Sequence, residues 1–121
     1  MRWLIDGNNV MGCVPDGWWR DRRGAKRRLA AAIDAWQHTH GDPVVLVFDG
    51  REDRELTSRE GFEVQWSGDG RRDGADDVIA SLAADGEPST VATSDQGLIA
   101  RLPATSEHTG ARRFRRLLNE D

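Results

Sequence analysis

The stretch Trp3-Leu4-Ile5-Asp6-Gly7-Asn8-Asn9 decides the fold. Its apolar half is a short buried strand, predicted over residues 2–6, and it stops at a carboxylate followed by a glycine and two amides. The same pattern returns at Val44-Val45-Leu46-Val47-Phe48, a continuous apolar run that ends in Asp49-Gly50. A run that is apolar at every position is buried on both faces, as parallel strands covered by helices are. A shorter segment, Thr90-Val91-Ala92-Thr93, runs into Ser94-Asp95. Three strands therefore end in aspartate.

The segments between these strands complete an α/β pattern. From Arg20 to about Gln37, Ala25, Leu29, Ala32, Ile33 and Trp36 recur at helical spacing. Phe62, Val64 and Trp66 alternate as a third strand. Ala75, Val78, Ile79, Leu82 and Ala83 form a second helical stripe, and Leu98, Ile99 and Leu102 a brief third one. The segment Gly7 to Trp19, with Gly12, Pro15 and Gly17, is expected to be an irregular loop. Residues 104–107 are expected to form a short edge strand. Residues 111–118 are expected to form a terminal helix with Phe114, Leu117 and Leu118 inward. Strands alternating with helices imply a mainly parallel sheet between helical layers.

Composition narrows the function classes. With 121 residues, 37% hydrophobic and 31% charged, the chain is expected to form one soluble domain over residues 1–121. No segment approaches the length of a membrane span, and no secretory pattern opens the chain. Cys13 is the only cysteine, which excludes an internal disulfide and a cysteine-based zinc site. A cytoplasmic location is expected, as a monomer or a homodimer. The net charge of -4 hides basic clusters at Arg20 to Arg28, at Arg71 and Arg72, and at Arg112 to Arg116. Lys26 is the only lysine among 17 basic residues.

Sites in an open parallel sheet form beyond the carboxyl ends of its strands. Asp6, Asp49 and Asp95 fall there, and Asp76 and Asp77 open the helix that precedes the last of these strands. At 100° per residue, Asp76 lies beside the apolar stripe and Asp77 nearly opposite it. Asp76 is thus the one expected to face the crevice. Two carboxylates about 4 Å apart repel by roughly 4 kcal/mol at an effective dielectric near 20. A divalent cation offsets that cost, and oxygen-only donors suit Mg²⁺ or Mn²⁺. The implied chemistry is metal-dependent phosphodiester hydrolysis. Asn9 and Ser94 can orient a water or hold a phosphate oxygen. Arg20, Arg23 and Arg27, with Trp18 and Trp19 beside them, and Arg71 and Arg72 are candidate RNA contacts. Each aspartate taken alone is also what a helix cap or a turn dipeptide carries.

Asp6-Gly7-Asn8-Asn9, Val47-Phe48-Asp49-Gly50, Ala75-Asp76-Asp77 and Thr93-Ser94-Asp95 together resemble the NYN domain, and within it the YacP-like proteins, relatives of PIN-domain nucleases. The resemblance runs from the first strand to at least Leu102. It implies a three-layer PIN-like fold with strand order 3-2-1-4-5 and Mg²⁺- or Mn²⁺-dependent endoribonuclease activity on RNA. It also implies Asp6, Asp76 and Asp95 as core metal ligands, Asn9 as supporting amide, and Asp49 and Asp77 as auxiliary. The competing expectation is an NYN-like module that binds RNA or a protein partner without cutting. A receiver-like domain is disfavoured, because Gly7-Asn8 replaces an acidic pair and no lysine lies beyond Lys26.

Overall fold

A computed structural model describes residues 1–68 and 74–119. The strands are β1 (Arg2–Asp6), β2 (Val44–Phe48), β3 (Phe62–Trp66), β4 (Ser89–Ala92) and β5 (Ser106–Thr109). They form one sheet in the order β3-β2-β1-β4-β5, and every neighbouring pair is parallel. The helices are α1 (Gly7–Gly12), α2 (Arg22–His40), α3 (Gly74–Ala83), α4 (Gln96–Ile99) and α5 (Ala111–Leu118).

Alternation along the strands divides the core into two layers. Ile5, Val44, Leu46 and Phe48 pack with Leu29, Ile33 and Trp36 of α2 and with Phe114 of α5. Leu4 and Val47, one residue out of phase, face Ala75, Ile79 and Leu98 on the other side. Leu4, Ile5, Leu46, Val47 and Phe48 are completely buried. Each such burial stabilises the fold by about 1.5–3 kcal/mol. The doubly buried β1 and β2 explain the unbroken apolar runs in the sequence.

Three expected boundaries change. The segment after Asp6 is not an irregular loop throughout: it begins as α1, and a 3₁₀ turn covers Trp18–Arg20. Gly7 makes α1 possible, because a Cβ there would stand 2.5 Å from the Phe48 ring and 2.8 Å from the Val47 carbonyl oxygen. Contact with β2, rather than local propensity, holds this turn of helix. The long helix starts at Arg22 and runs to His40. Asp21 caps its start by accepting from the Gly24 N–H at 3.0 Å, and Gly41 ends it in a left-handed conformation at φ +85°. The last strand lies two residues later than expected, since the Ser106 N–H donates to the Pro103 carbonyl at 3.0 Å and closes a turn across residues 104 and 105. Among the described residues, no helix is long and apolar enough to cross a membrane.

Candidate active site

Because β1, β2 and β4 are parallel and in close register, their carboxyl ends open on one edge. The chain direction divides there: β2 lies on one side of β1 and β4 on the other, which makes the end of β1 the switch point of the sheet. Asp6 is the last residue of β1 and is only 4% exposed.

Its neighbours form a hydrogen-bonded frame. The buried Thr93 hydroxyl donates to Asp6 Oδ2 at 2.8 Å, and the Asp95 N–H donates to the same hydroxyl at 3.1 Å. Asn8 Oδ1 accepts from the Asp49 N–H, and Asn9 Oδ1 from the Ser94 N–H, both at 2.8 Å. Asp49 Oδ1 accepts from the Ala75 N–H at 2.6 Å, and Ser94 Oγ from the Ala111 N–H at 2.8 Å. The two amides after Gly7 thus tie α1 to the ends of β2 and β4. Asp49 ties β2 to the start of α3, and Ser94 ties β4 to the start of α5.

The electrostatics single out Asp6. Its carboxyl is pushed up to about 7: burial raises it most, the charges of Asp76 and Asp49 add to that, and hydrogen bonds from the Thr93 hydroxyl and the Asn9 N–H draw it back in part. Asp76 therefore acts on Asp6, whereas Asp77 forms an ion pair with Arg101 at 2.9 Å. Asp95 Oδ1 accepts from the Leu98 N–H at 3.1 Å and caps α4. Among the described residues, no group of three or more His, Cys, Asp or Glu side chains is gathered tightly enough to enclose a metal ion. Mg²⁺ rarely needs such a cage, since it keeps several waters and binds through one or two carboxylates. A buried carboxylate whose ionisation is opposed by two others is a donor set that fits a hard divalent cation.

The expected RNA contacts separate into distinct environments. Arg20 lies 5.9 Å over the ring of Trp19, which is 48% exposed. Arg27 grips Asp53 through Nε at 3.0 Å and Nη2 at 3.2 Å, and Arg23 reaches the same carboxylate at 3.4 Å. The Arg27 guanidinium holds the Asp53 carboxyl well below the usual range. Arg71 and Arg72 lie outside the described residues.

Three side chains had no assigned role from sequence. Thr93 and Asn8 lie inside the quoted motifs, each a polar residue directly after a buried one, Ala92 and Gly7. Lys26 stands on the flank of the α2 stripe, three residues before Leu29, and its ammonium lies 5.5 Å over Phe48 and 5.4 Å over Trp66. Burial pulls its pKa down, while the nearby Asp49 pushes it up.

A five-stranded parallel sheet in this order, with carboxylates at its switch point, defines a PIN-like α/β fold. The chain belongs to the YacP-like NYN domain family, whose pattern matches residues 3–115. Among solved structures it is similar to Rae1 (YacP) from Bacillus subtilis, with a TM-score of 0.76 and 25% identity over 98% of this chain and 74% of that one. It is similar also to a mutant form of that protein, with a TM-score of 0.74 and 24% identity over the same shares of the two chains. No curated protein matches it by sequence.

Proposed function

We propose that this chain is a divalent-metal-dependent endoribonuclease of the cytoplasm, with Asp6, Asp76 and Asp95 holding Mg²⁺ or Mn²⁺ and Asp49 and Asp77 auxiliary to them. The observation that carries this is Asp6, a buried carboxyl pushed up to about 7 at the carboxyl edge of the sheet and faced by two further carboxylates. Perturbed groups of this kind concentrate at functional sites. When bound, the cation supplies an activated water and neutralises charge that builds on the phosphodiester.

The chain's own residues position and bind. The Thr93 hydroxyl orients Asp6 by donating to one of its oxygens. Asn9 accepts through Oδ1, so its amide N–H groups are the ones directed to a phosphate oxygen. The Ser94 oxygen accepts from Ala111, which leaves its hydroxyl proton to donate to RNA. Arg20 adds a guanidinium for the phosphate backbone.

The test is cleavage of a mixed RNA by purified protein in Mn²⁺. Cleavage is expected to stop in EDTA and to fall by about 100-fold or more in Asp6→Asn. Cleavage that persists in EDTA removes the metal mechanism. Asp95 caps α4 and Asp77 pairs with Arg101, which favours one second reading, a module that binds RNA without cutting. Retardation of RNA in a gel without cleavage would establish it.

A further inference from the structure

A groove of about 390 Å³ is lined by Arg22, Arg23, Lys26, Arg51, Asp53 and Trp66 among others. Its position follows from the sheet. Trp66, the last residue of β3, is paired in register with Phe48, the last residue of β2, and their rings lie 5.1 Å apart. Asp49 follows Phe48 directly, and its charge acts on Lys26, so two lining residues, Trp66 and Lys26, neighbour the strand end that carries Asp49.

The cations here differ in what they hold. Arg23 is occupied by Asp53. The Lys26 ammonium lies over the two rings and has no carboxylate or carbonyl acceptor among the described residues. An ammonium carries three donors, and ring faces satisfy them only in part. Arg22 lies over Trp18 at 5.4 Å, also without a carboxylate partner among the described residues. A half-buried indole beside an unpaired ammonium and two further guanidiniums matches the two chemistries of a nucleotide. Its phosphate is an anion that accepts several hydrogen bonds, and its base is a π-face.

The geometry points to a nucleotide subsite in this groove, in which Lys26 binds the phosphate and Trp66 stacks the unpaired base of an RNA strand running toward Asp6. The inference rests on the ribonuclease reading and adds a specified contact to it. A base inside a duplex is stacked on its neighbours and offers no face to Trp66, so the subsite selects a strand that is unpaired there. The electrostatic neighbourhood of Lys26 includes Asp49 and Asp53 as well as Arg22, so the ammonium links the groove to the acidic edge.

The experiment measures binding of a labelled single-stranded oligoribonucleotide, alone and annealed to its complement, by anisotropy in EDTA, with melting curves to confirm folding. Lys26→Gln is expected to weaken single-strand binding about fivefold or more and to flatten the slope of log affinity against log salt by about 0.7. Trp66→Leu is expected to weaken it about fivefold or more, and Trp66→Phe, which keeps a ring, to restore most of the loss. The annealed probe is expected to be insensitive to the Trp66 variants. Wild-type affinity and salt slope in folded Lys26→Gln and Trp66→Leu would overturn the subsite while leaving Mn²⁺-dependent cleavage intact. A wild-type chain that neither binds nor cuts RNA overturns both the subsite and the ribonuclease reading.

Discussion

Asp6 and Asp53 are the same side chain in opposite circumstances. Asp53 sits between two guanidiniums, accepts from the Glu55 N–H as well, and is held as a carboxylate far below the usual range. Asp6 is pushed up to about 7, by burial first and then by the charges of Asp76 and Asp49, although it accepts from the Thr93 hydroxyl and the Asn9 backbone N–H. The comparison teaches where this molecule stores binding capacity. At Asp53 the cations are already supplied by the chain. At Asp6 no cation among the described residues answers the charge, and under the proposed function an ion from solution would relieve it.

The largest effect is expected from removing the ionisable group at Asp6. Without metal, native Asp6 keeps its proton up to about pH 7, while the unfolded chain releases it near pH 4. Between these values the native state binds more protons, so stability falls as pH rises and levels off above pH 7. The loss is on the order of 4 kcal/mol over the whole window, about 2–3 kcal/mol of it between pH 5 and pH 8, and Asp6→Asn abolishes it. Urea unfolding in EDTA at pH 5 and pH 8 checks this, and a wild-type stability no more pH-dependent than that of Asp6→Asn would erase the contrast with Asp53.

A smaller effect sharpens the contrast by removing the side-chain donor to Asp6. Thr93→Val keeps the shape but takes a donor from Asp6 and an acceptor from the Asp95 N–H. Unfolding by urea is expected to show a loss of about 1–3 kcal/mol. The pH-dependent drop is also expected to move upward, because the hydrogen bond that favours ionisation is gone. A variant as stable as wild type would show that Thr93 does not support Asp6.

The smallest effect on stability is expected on the other side of the comparison. Asp53→Asn weakens ion pairs whose arginine sides stay open to solvent, Arg23 at 70% and Arg27 at 39% exposed, and such pairs contribute little. Its urea midpoint is expected to stay close to wild type. Under the proposed function, the released Arg23 and Arg27 are expected to steepen the salt dependence of RNA binding. A loss as large as that of Thr93→Val would mean that the Asp53 clamp is structural.

Much of the site's placement is legible along the chain because strand ends are local features. Apolar runs ending in Asp6 and Asp49 mark both the strands and the edge on which they open, and helical phase separates Asp76, which acts on Asp6, from Asp77, which pairs with Arg101. What escapes is set by contacts between distant residues. Gly7-Asn8-Asn9 is a poor helix start, and α1 forms there because Gly7 fits against Phe48 and Val47, about forty residues away. Arg23 and Arg27 resemble free phosphate ligands until Asp53 folds back onto them.

The amino-acid sequence by itself determined the α/β order, the doubly buried strands and the aspartates that end them, because burial period and strand termini are written in neighbouring residues. Only the tertiary structure decided which charges remain uncompensated. Thr93 reaches Asp6, Asp53 takes two arginines, and Lys26 comes to rest over Phe48 and Trp66 once the sheet and α2 have packed. Electrostatic environment depends on burial and on partners far apart in the chain, so no local pattern specifies it.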